Sequence, residues 1–382
     1  MSNIDWIRLA CIPGIGAARA MRLINHYGDP GSALAADAAG WAALGLPKKL
    51  HARRHEPDTE LLQQTQEWLT VPGHDLVTRG HMHDSPILRT MDGAPAWLYA
   101  IGDTDLLTRP AIAIVGSRNP TPAGIEHARD FAAQLARSGF VIVSGLARGI
   151  DAAAHEGALA ANGMTIAVCG TGLDRVYPAA NKTLAERIAA NGLLLSEFNL
   201  GTLPARGNFP RRNRIIAGLS SGTLVVEAAR ASGSLITARM ALEAGRDVFA
   251  LPGSVHNPLA RGCHQLIREG AKLVEMASDI FEDIAPTLDA SDLGLHTPDN
   301  SDQGGADAPH QTTPAPTDDS DDERLLAALG HAPARIDDLV ERTGWPADAV
   351  SSTLLILELQ GRVATTPGGA YMRTHQDNPG VS

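Results

Sequence analysis

The chain has 382 residues and very little cysteine. Cys11, Cys169 and Cys263 stand far apart and form no Cys-x-x-Cys pair, which excludes the spacing of a zinc site or a disulfide framework. No apolar run approaches the ~18 residues that cross a bilayer, so no membrane partner is expected. The opening MSNIDWIRLA has no basic region followed by an apolar one, so no secretory signal is expected. The expected localisation is cytoplasmic. No His–Cys–Asp arrangement is evident, so no catalytic residue, no metal and no cofactor are expected. Basic excess is missing too. The net charge is -11, which at first argues against a nucleic-acid partner.

The acidity is local. Residues 279–323 hold thirteen of the 43 acidic residues and none of the 32 basic ones, so the rest of the chain is close to neutral. Within that stretch, residues 286–321 are rich in Asp, Pro, Gly and Thr and read as a disordered acidic linker. The linker divides the chain. Residues 1–75 read as a small helical domain, 76–285 as an α/β domain, and 322–375 as three helices and a hairpin in winged-helix order. The third helix of that order, 347–360, carries Asp348 and Glu358 and no Lys or Arg, so a protein contact suits it better than a DNA groove.

In the first domain, Leu9 to Ile24 matches a helix–hairpin–helix, with Gly14 and Gly16 at the hairpin. Such hairpins offer backbone N–H groups to a DNA backbone, although a plain αα-hairpin needs the same glycines. A weaker hairpin signal at Leu44 to Pro47 is followed by Lys48, Lys49, Arg53 and Arg54.

The central segment alternates strand and helix. Strands are expected at 97–101, 112–115, 141–144, 165–169, 193–196, 223–226 and 248–251. Helices are expected at 125–137, 151–161, 184–190 and 234–244. This alternation predicts a mostly parallel sheet with helices on both faces. Two strand ends share one design. AIAIVGSRN runs from a strand through Gly116, Ser117 and Arg118 toward a helix, and FVIVSGLARGID runs through Ser144, Gly145 and Arg148 into another. A helix N-terminus with orphan N–H groups attracts anions, and adjacent parallel strands would place both turns on one sheet edge. Two arginines facing one crevice call for a polyanion. The segment NFPRRNR adds Phe209, suited to stacking on a base, and Arg211, Arg212 and Arg214 within one helical turn. Their closeness is costly unless an anion relieves it.

Gly170-Thr171-Gly172 lacks the third glycine of a dinucleotide site, since position 175 is Arg, so NAD binding is not expected. His155, in an Ala-rich helix, reads as a core histidine, and Asp151 as a first-turn helix carboxylate.

The ordered set IVGSRN, VSGLARGIDAAAH, GTGLDRVYPAAN, FPRRNRIIAGLS, SGSLITARMAL and LPGS resembles the DprA family, also called Smf, over nearly the whole chain. The resemblance implies an extended Rossmann-like fold that binds single-stranded DNA and forms homodimers. It further implies that the protein helps load the RecA recombinase in natural transformation. The phosphate-contacting positions it implies are Ser117, Arg118, Ser144, Gly145, Arg148, Arg212 and Arg214, with Phe209 near a base; Gly116, Lys182, Arg211 and Asn213 complete the expected DNA-binding set. The family's basic residue after Tyr-Pro has no counterpart at Ala179 or Ala180, and Lys182 is the nearest charge. The family's earlier Tyr-Pro stands here as Ser85-Pro86. The dimer contact is expected at 262–273. Two other readings compete. Ser220 to Glu227, SSGTLVVE, partly echoes the PGGxGTxxE motif of nucleoside monophosphate hydrolases, with Glu227 as the acid. A protein adaptor with a vestigial crevice is the third.

Overall fold

The computed structural model describes residues 3–79 and 93–284, and parts of 325–374. The acidic linker and Ser85-Pro86 lie outside the described residues. Residues 1–298 form one compact unit and 299–382 another.

The first unit opens with helices α1 (Asn3–Ala10), α2 (Ala17–Tyr27), α3 (Pro30–Ala35), α4 (Ala38–Ala43), α5 (Lys48–Arg53) and α6 (Thr59–Trp68). The expected hairpin lies between α1 and α2, and the weaker one between α4 and α5. Asp29, Asp37 and Asp58 cap α3, α4 and α6 by accepting backbone N–H groups. Trp41 fills the centre of this bundle, fully buried, and donates its indole N–H to Ala33 O at 2.9 Å.

Nine strands follow among the described residues: β1 (His74–Thr78), β2 (Trp97–Gly102), β3 (Ala111–Val115), β4 (Val141–Ser144), β5 (Thr165–Val168), β6 (Leu193–Ser196), β7 (Gly222–Val225), β8 (Asp247–Ala250) and β9 (Lys272–Leu273). They form one sheet in the order β1-β2-β6-β5-β4-β3-β7-β8-β9. From β6 to β9 the pairs are parallel, while β1 and β2 join antiparallel. The seven expected strands are all present within a residue or so at each end. β1 and β9 were not expected, because β1 opens on His and Asp and β9 has only two residues.

Helices α7 (Pro122–Arg137), α8 (Ile150–Ala160), α9 (Lys182–Asn191), α10 (Asn208–Gly218), α11 (Gly233–Glu243), α12 (Arg261–Arg268) and α13 (Ala277–Ile284) cover the sheet. The pleat sorts side chains between its two faces. Ile112 and Ile114 of β3 pack with Phe131 of α7 and Ala154 of α8. Ala111, Ala113 and Val115 face the other way, toward Ile215 of α10 and Ala238 of α11. The three cysteines are buried free thiols.

The helical bundle is joined to the sheet by a shared apolar cluster, in which Trp6, Leu9 and Trp41 adjoin Trp97, Tyr99 and Leu194. Asn199, just past β6, donates to Ala10 O at 2.8 Å.

The second unit contains α14 (Ile336–Thr343) and a hairpin of β10 (Val363–Thr366) and β11 (Ala370–Arg373). Leu325, Leu326, Ala328, Leu329, Val350, Ser351, Thr353, Leu354, Leu357 and Glu358 are also helical, and Leu326, Leu339, Leu354 and Val363 form its core.

Candidate nucleic-acid interface

The chain runs β3-β4-β5-β6 in one direction across the sheet and β7-β8-β9 in the other. The carboxyl ends of these strands share one edge, the edge where open α/β sheets bind ligands. β3 and β4 are adjacent and parallel, so the two arginine-bearing turns lie side by side as expected. They are also bonded to each other: Ile150 N, at the start of α8, donates to Ser117 O at 3.1 Å.

Arg118 and Arg148 are exposed, and neither has an ion-pair partner among the described residues. The Arg118 guanidinium carbon lies 5.2 Å from the centre of the Phe209 ring. Phe209, half-buried at the start of α10, has Tyr177 on another side, with ring centres 5.7 Å apart and planes tilted by 37°. Tyr177 is 48% exposed. Sequence reasoning took Tyr177-Pro178 only as the Tyr-Pro that precedes Ala179 and missed this aromatic neighbour, which follows the strand-end glycines of β5. Gly170 is the residue that lets Phe209 sit there, since a Cβ at 170 would lie 2.9 Å from the ring. The result is a surface of two aromatic rings with the Arg118 guanidinium over one of them, and with Arg148 exposed on the adjacent turn. It can stack bases and attract phosphates.

The rest of the expected set is placed differently. Ser144 is fully buried, and its hydroxyl donates to Ile114 O at 2.6 Å, tying β4 to β3. Gly145 is buried and shapes the turn. Leu146, next to it, holds φ of 58°, a left-handed conformation that side-chain-bearing residues seldom adopt. Asn181 secures that turn by donating to Leu146 O at 2.9 Å and Ala147 O at 3.2 Å. Lys182 is exposed beside it and stands 3.9 Å from Glu186 in an (i, i+4) pair. Gly116 and Ser117 are half-buried, and Ser117 Oγ accepts from Asn119 N at 3.1 Å.

The arginine cluster of α10 corrects the sequence expectation most. A helix turns 100° per residue, so Arg211 and Arg214 share one face while Phe209, Arg212 and Asn213 share another. Arg212 is buried, with 4% exposure, and is not offered to a strand. Its guanidinium donates to Gly145 O and Val168 O, and its Nε donates to Asn213 Oδ1 at 3.0 Å. A Cβ at Gly145 would overlap this guanidinium, so any larger residue there must displace Arg212. Asp151, also buried, accepts from Ala147 N at 3.3 Å. Burial raises the Asp151 carboxyl above the ordinary carboxylate range, and the Arg212 charge opposes that rise. Arg212 therefore joins the ends of β4 and β5 from beneath.

Arg211 and Arg214 find their anion inside the protein. Glu197, at the end of β6 and 4% exposed, forms ion pairs with both. Arg211 Nε stands 2.9 Å from Glu197 Oε2, and Arg214 also donates to Gly93 O. Sequence reasoning missed Glu197. Its one local signal was a carboxylate directly after a buried strand, a position where a charge must be paired.

Two further residues take structural roles. His155 is fully buried, with Nδ1 2.7 Å from Thr165 Oγ1, and burial lowers its pKa to about 3, so it is neutral. Glu227 accepts from Thr121 N at 2.9 Å, from Thr121 Oγ1 at 2.7 Å and from Asn257 Nδ2 at 3.4 Å. It secures the start of α7. Among the described residues no cluster of His, Cys, Asp and Glu suits a metal ion, and no helix is long and apolar enough to cross a membrane.

The family model for DNA recombination-mediator protein A matches residues 75–285. The chain belongs to the DprA family. A second family model, the DprA winged helix domain, matches residues 309–369. Protein Smf of Escherichia coli (strain K12) is 39% identical over 373 residues, covering 96% of this chain and 95% of that protein. DNA processing protein DprA of Streptococcus pneumoniae is 52% identical over 188 residues, covering 49% of this chain and 66% of that one. The X-ray structure of Streptococcus pneumoniae DprA superposes with a TM-score of 0.66 at 36% identity, covering 74% of this chain and 98% of that chain. The DNA processing protein A of Helicobacter pylori, solved for its single-stranded DNA binding mode, gives a TM-score of 0.50 at 34% identity. That match covers 53% of this chain and 94% of the other. The DprA fold thus extends over the crevice and the turns that build it.

Proposed function

We propose that this DprA-family protein binds single-stranded DNA along the carboxyl edge of its sheet, protects it, and helps load the RecA recombinase onto it in natural transformation. The observation that carries the reading is Phe209 beside Tyr177 with Arg118 over its ring and Arg148 on the adjacent turn, two exposed arginines with no carboxylate partner among the described residues. Rings take unstacked bases, which a duplex does not offer, and the guanidinia take the phosphates between them. The contacts are Ser117, Arg118, Arg148, Lys182 and Phe209, with Tyr177 added. Gly116, Ser144, Gly145, Arg212 and Asn213 shape the surface. Arg211 and Arg214 lie on the opposite face of α10.

The protein acts by binding rather than by catalysis. The hydrolase reading needs Glu227 as an acid, and that carboxylate is engaged by Thr121 and Asn257. The proposed homodimer forms through residues 262–273, which place α12 and the short edge strand β9 at one end of the sheet, with Leu273 44% exposed. An edge strand offers unpaired backbone groups to a second copy.

The test is binding of the full chain to a labelled single strand and to the matching duplex across a salt series. Preference for the single strand with steep salt dependence supports the reading. Equal binding to both, or none, overturns it. RecA filament assembly on the bound strand, followed with and without this protein, tests the loading step. An unchanged assembly rate removes that step from the proposal.

A further inference from the structure

The face of α10 that turns away from Phe209 borders a second feature. A cleft of about 770 Å3 lies between the α1–α2 hairpin and the sheet domain, lined by Gly16, Arg19, Arg22, Gly93, Arg211 and Arg214 among others. Four arginines thus line one cleft. Glu197 pairs with Arg211 and Arg214. Arg19 and Arg22 have no carboxylate partner among the described residues. They donate to the carbonyl oxygens of Gly14 at 2.6 Å and Leu44 at 3.0 Å. Arg79, beside the same cleft, bonds Met21 and Asn25 of α2, which also line it, and likewise has no carboxylate partner among the described residues. Glu197 offsets one positive charge and leaves the cleft strongly positive. α2 adds to this, because no side chain caps its N-terminus and its first residues, Gly16, Ala17 and Ala18, line the cleft. The two domains meet closely here: a Cβ built on Gly16 would lie 3.8 Å from Arg211 Nη2.

Arginines held together in this way repel one another unless an anion relieves them. One helix carries both features, since Phe209 and Arg211 are two residues apart on α10, on opposite faces. We infer that the cleft between the N-terminal hairpin and α10 is a second phosphate-binding tract, which takes the backbone of the strand as it leaves the aromatic surface. The inference rests on the single-strand reading above. Its ligand is a nucleic-acid phosphodiester backbone, and its specificity is for charge, since its lining among the described residues holds no aromatic ring.

The test uses the full chain and two labelled oligothymidines, a short one of ~6 nucleotides sized to the aromatic surface and a long one of ~20. The Arg19→Gln, Arg22→Gln double variant keeps a donor for each carbonyl and removes both charges. Its salt slope for the long strand should be shallower by about 1.4, since two phosphates are no longer neutralised at ~0.7 each, with the short strand unaffected. Arg22→Gln alone, at an exposed side chain, should show about half that shift. The Arg19→Lys, Arg22→Lys variant keeps the charge and should keep the wild-type slope. An unchanged slope for the long strand in the Gln variants overturns the inference. So does a Lys variant that behaves like the Gln variant, because the loss is then structural. A folded Phe209→Ala protein separates the two readings. If it binds both strands as the wild type does while the Gln variants weaken the long one, the aromatic surface is refuted and the cleft stands.

Discussion

The arginines of the two turns and the arginines of α10 look alike in sequence and are used in opposite ways. Arg118 and Arg148 sit on turns, exposed and, among the described residues, without carboxylate partners. Arg212 is enclosed by carbonyl oxygens, and Arg211 and Arg214 are anchored to a buried glutamate. A guanidinium has five donors in a planar fork, so it serves equally to hold backbone carbonyls together and to bind phosphate. What separates the two uses is the surroundings. Only a charge left unsatisfied by the protein is available to a ligand.

The largest effect that would sharpen this contrast is Arg212→Ala. It leaves Asp151 buried without its opposing charge and two carbonyls without a donor, a loss of roughly 3–5 kcal/mol. Chemical denaturation should show it directly. A stable, folded Arg212→Ala protein that fails only to bind DNA would break the contrast.

Next is a pH effect in the same interior. His155 is held neutral with a pKa of about 3, whereas an unfolded histidine titrates near 6.5. Between those values the unfolded chain takes up a proton that the folded one does not. Stability is therefore lost as pH falls below about 6.5, by roughly 2 kcal/mol at pH 5. Replacing His155 with Gln should flatten this dependence in a melting series. An unflattened profile would mean that the buried histidine is not its source.

On the exposed side, Phe209→Ala should weaken single-strand binding by about 1–3 kcal/mol with little change in salt slope. A variant that unfolds would instead assign the ring to the core. The smallest effect is Arg118→Ala, expected to make the salt slope shallower by ~0.7 for the one phosphate left without its arginine. If the slope is unchanged, Arg118 serves only to hold the Phe209 ring.

Much of the fold was legible because strand and helix signals are local. AIAIV and VIVS are short apolar runs that end at Gly or Ser, and each became a strand of the parallel sheet. The lateral position of the two turns followed from adjacency alone. Less was legible at the site. The three clustered arginines suggested an external anion, yet the relief comes from Glu197, Gly145 and Val168, which are remote in sequence. Tyr177 was visible as a residue and invisible as a neighbour of Phe209. Its place depends on the path of the loop after β5, which no periodicity encodes.

Residue order was enough to establish the βα alternation, the hairpin between the first two helices, the acidic segment and the positions of the turns. These depend on the few residues on either side of each break. Packing alone settled which arginine faces inward, which glutamate answers two of them, and that the N-terminal hairpin and α10 enclose one positive cleft. Charge is indifferent to sequence distance. Its role is set by whatever the fold brings within a few ångströms, and by whether water still reaches it.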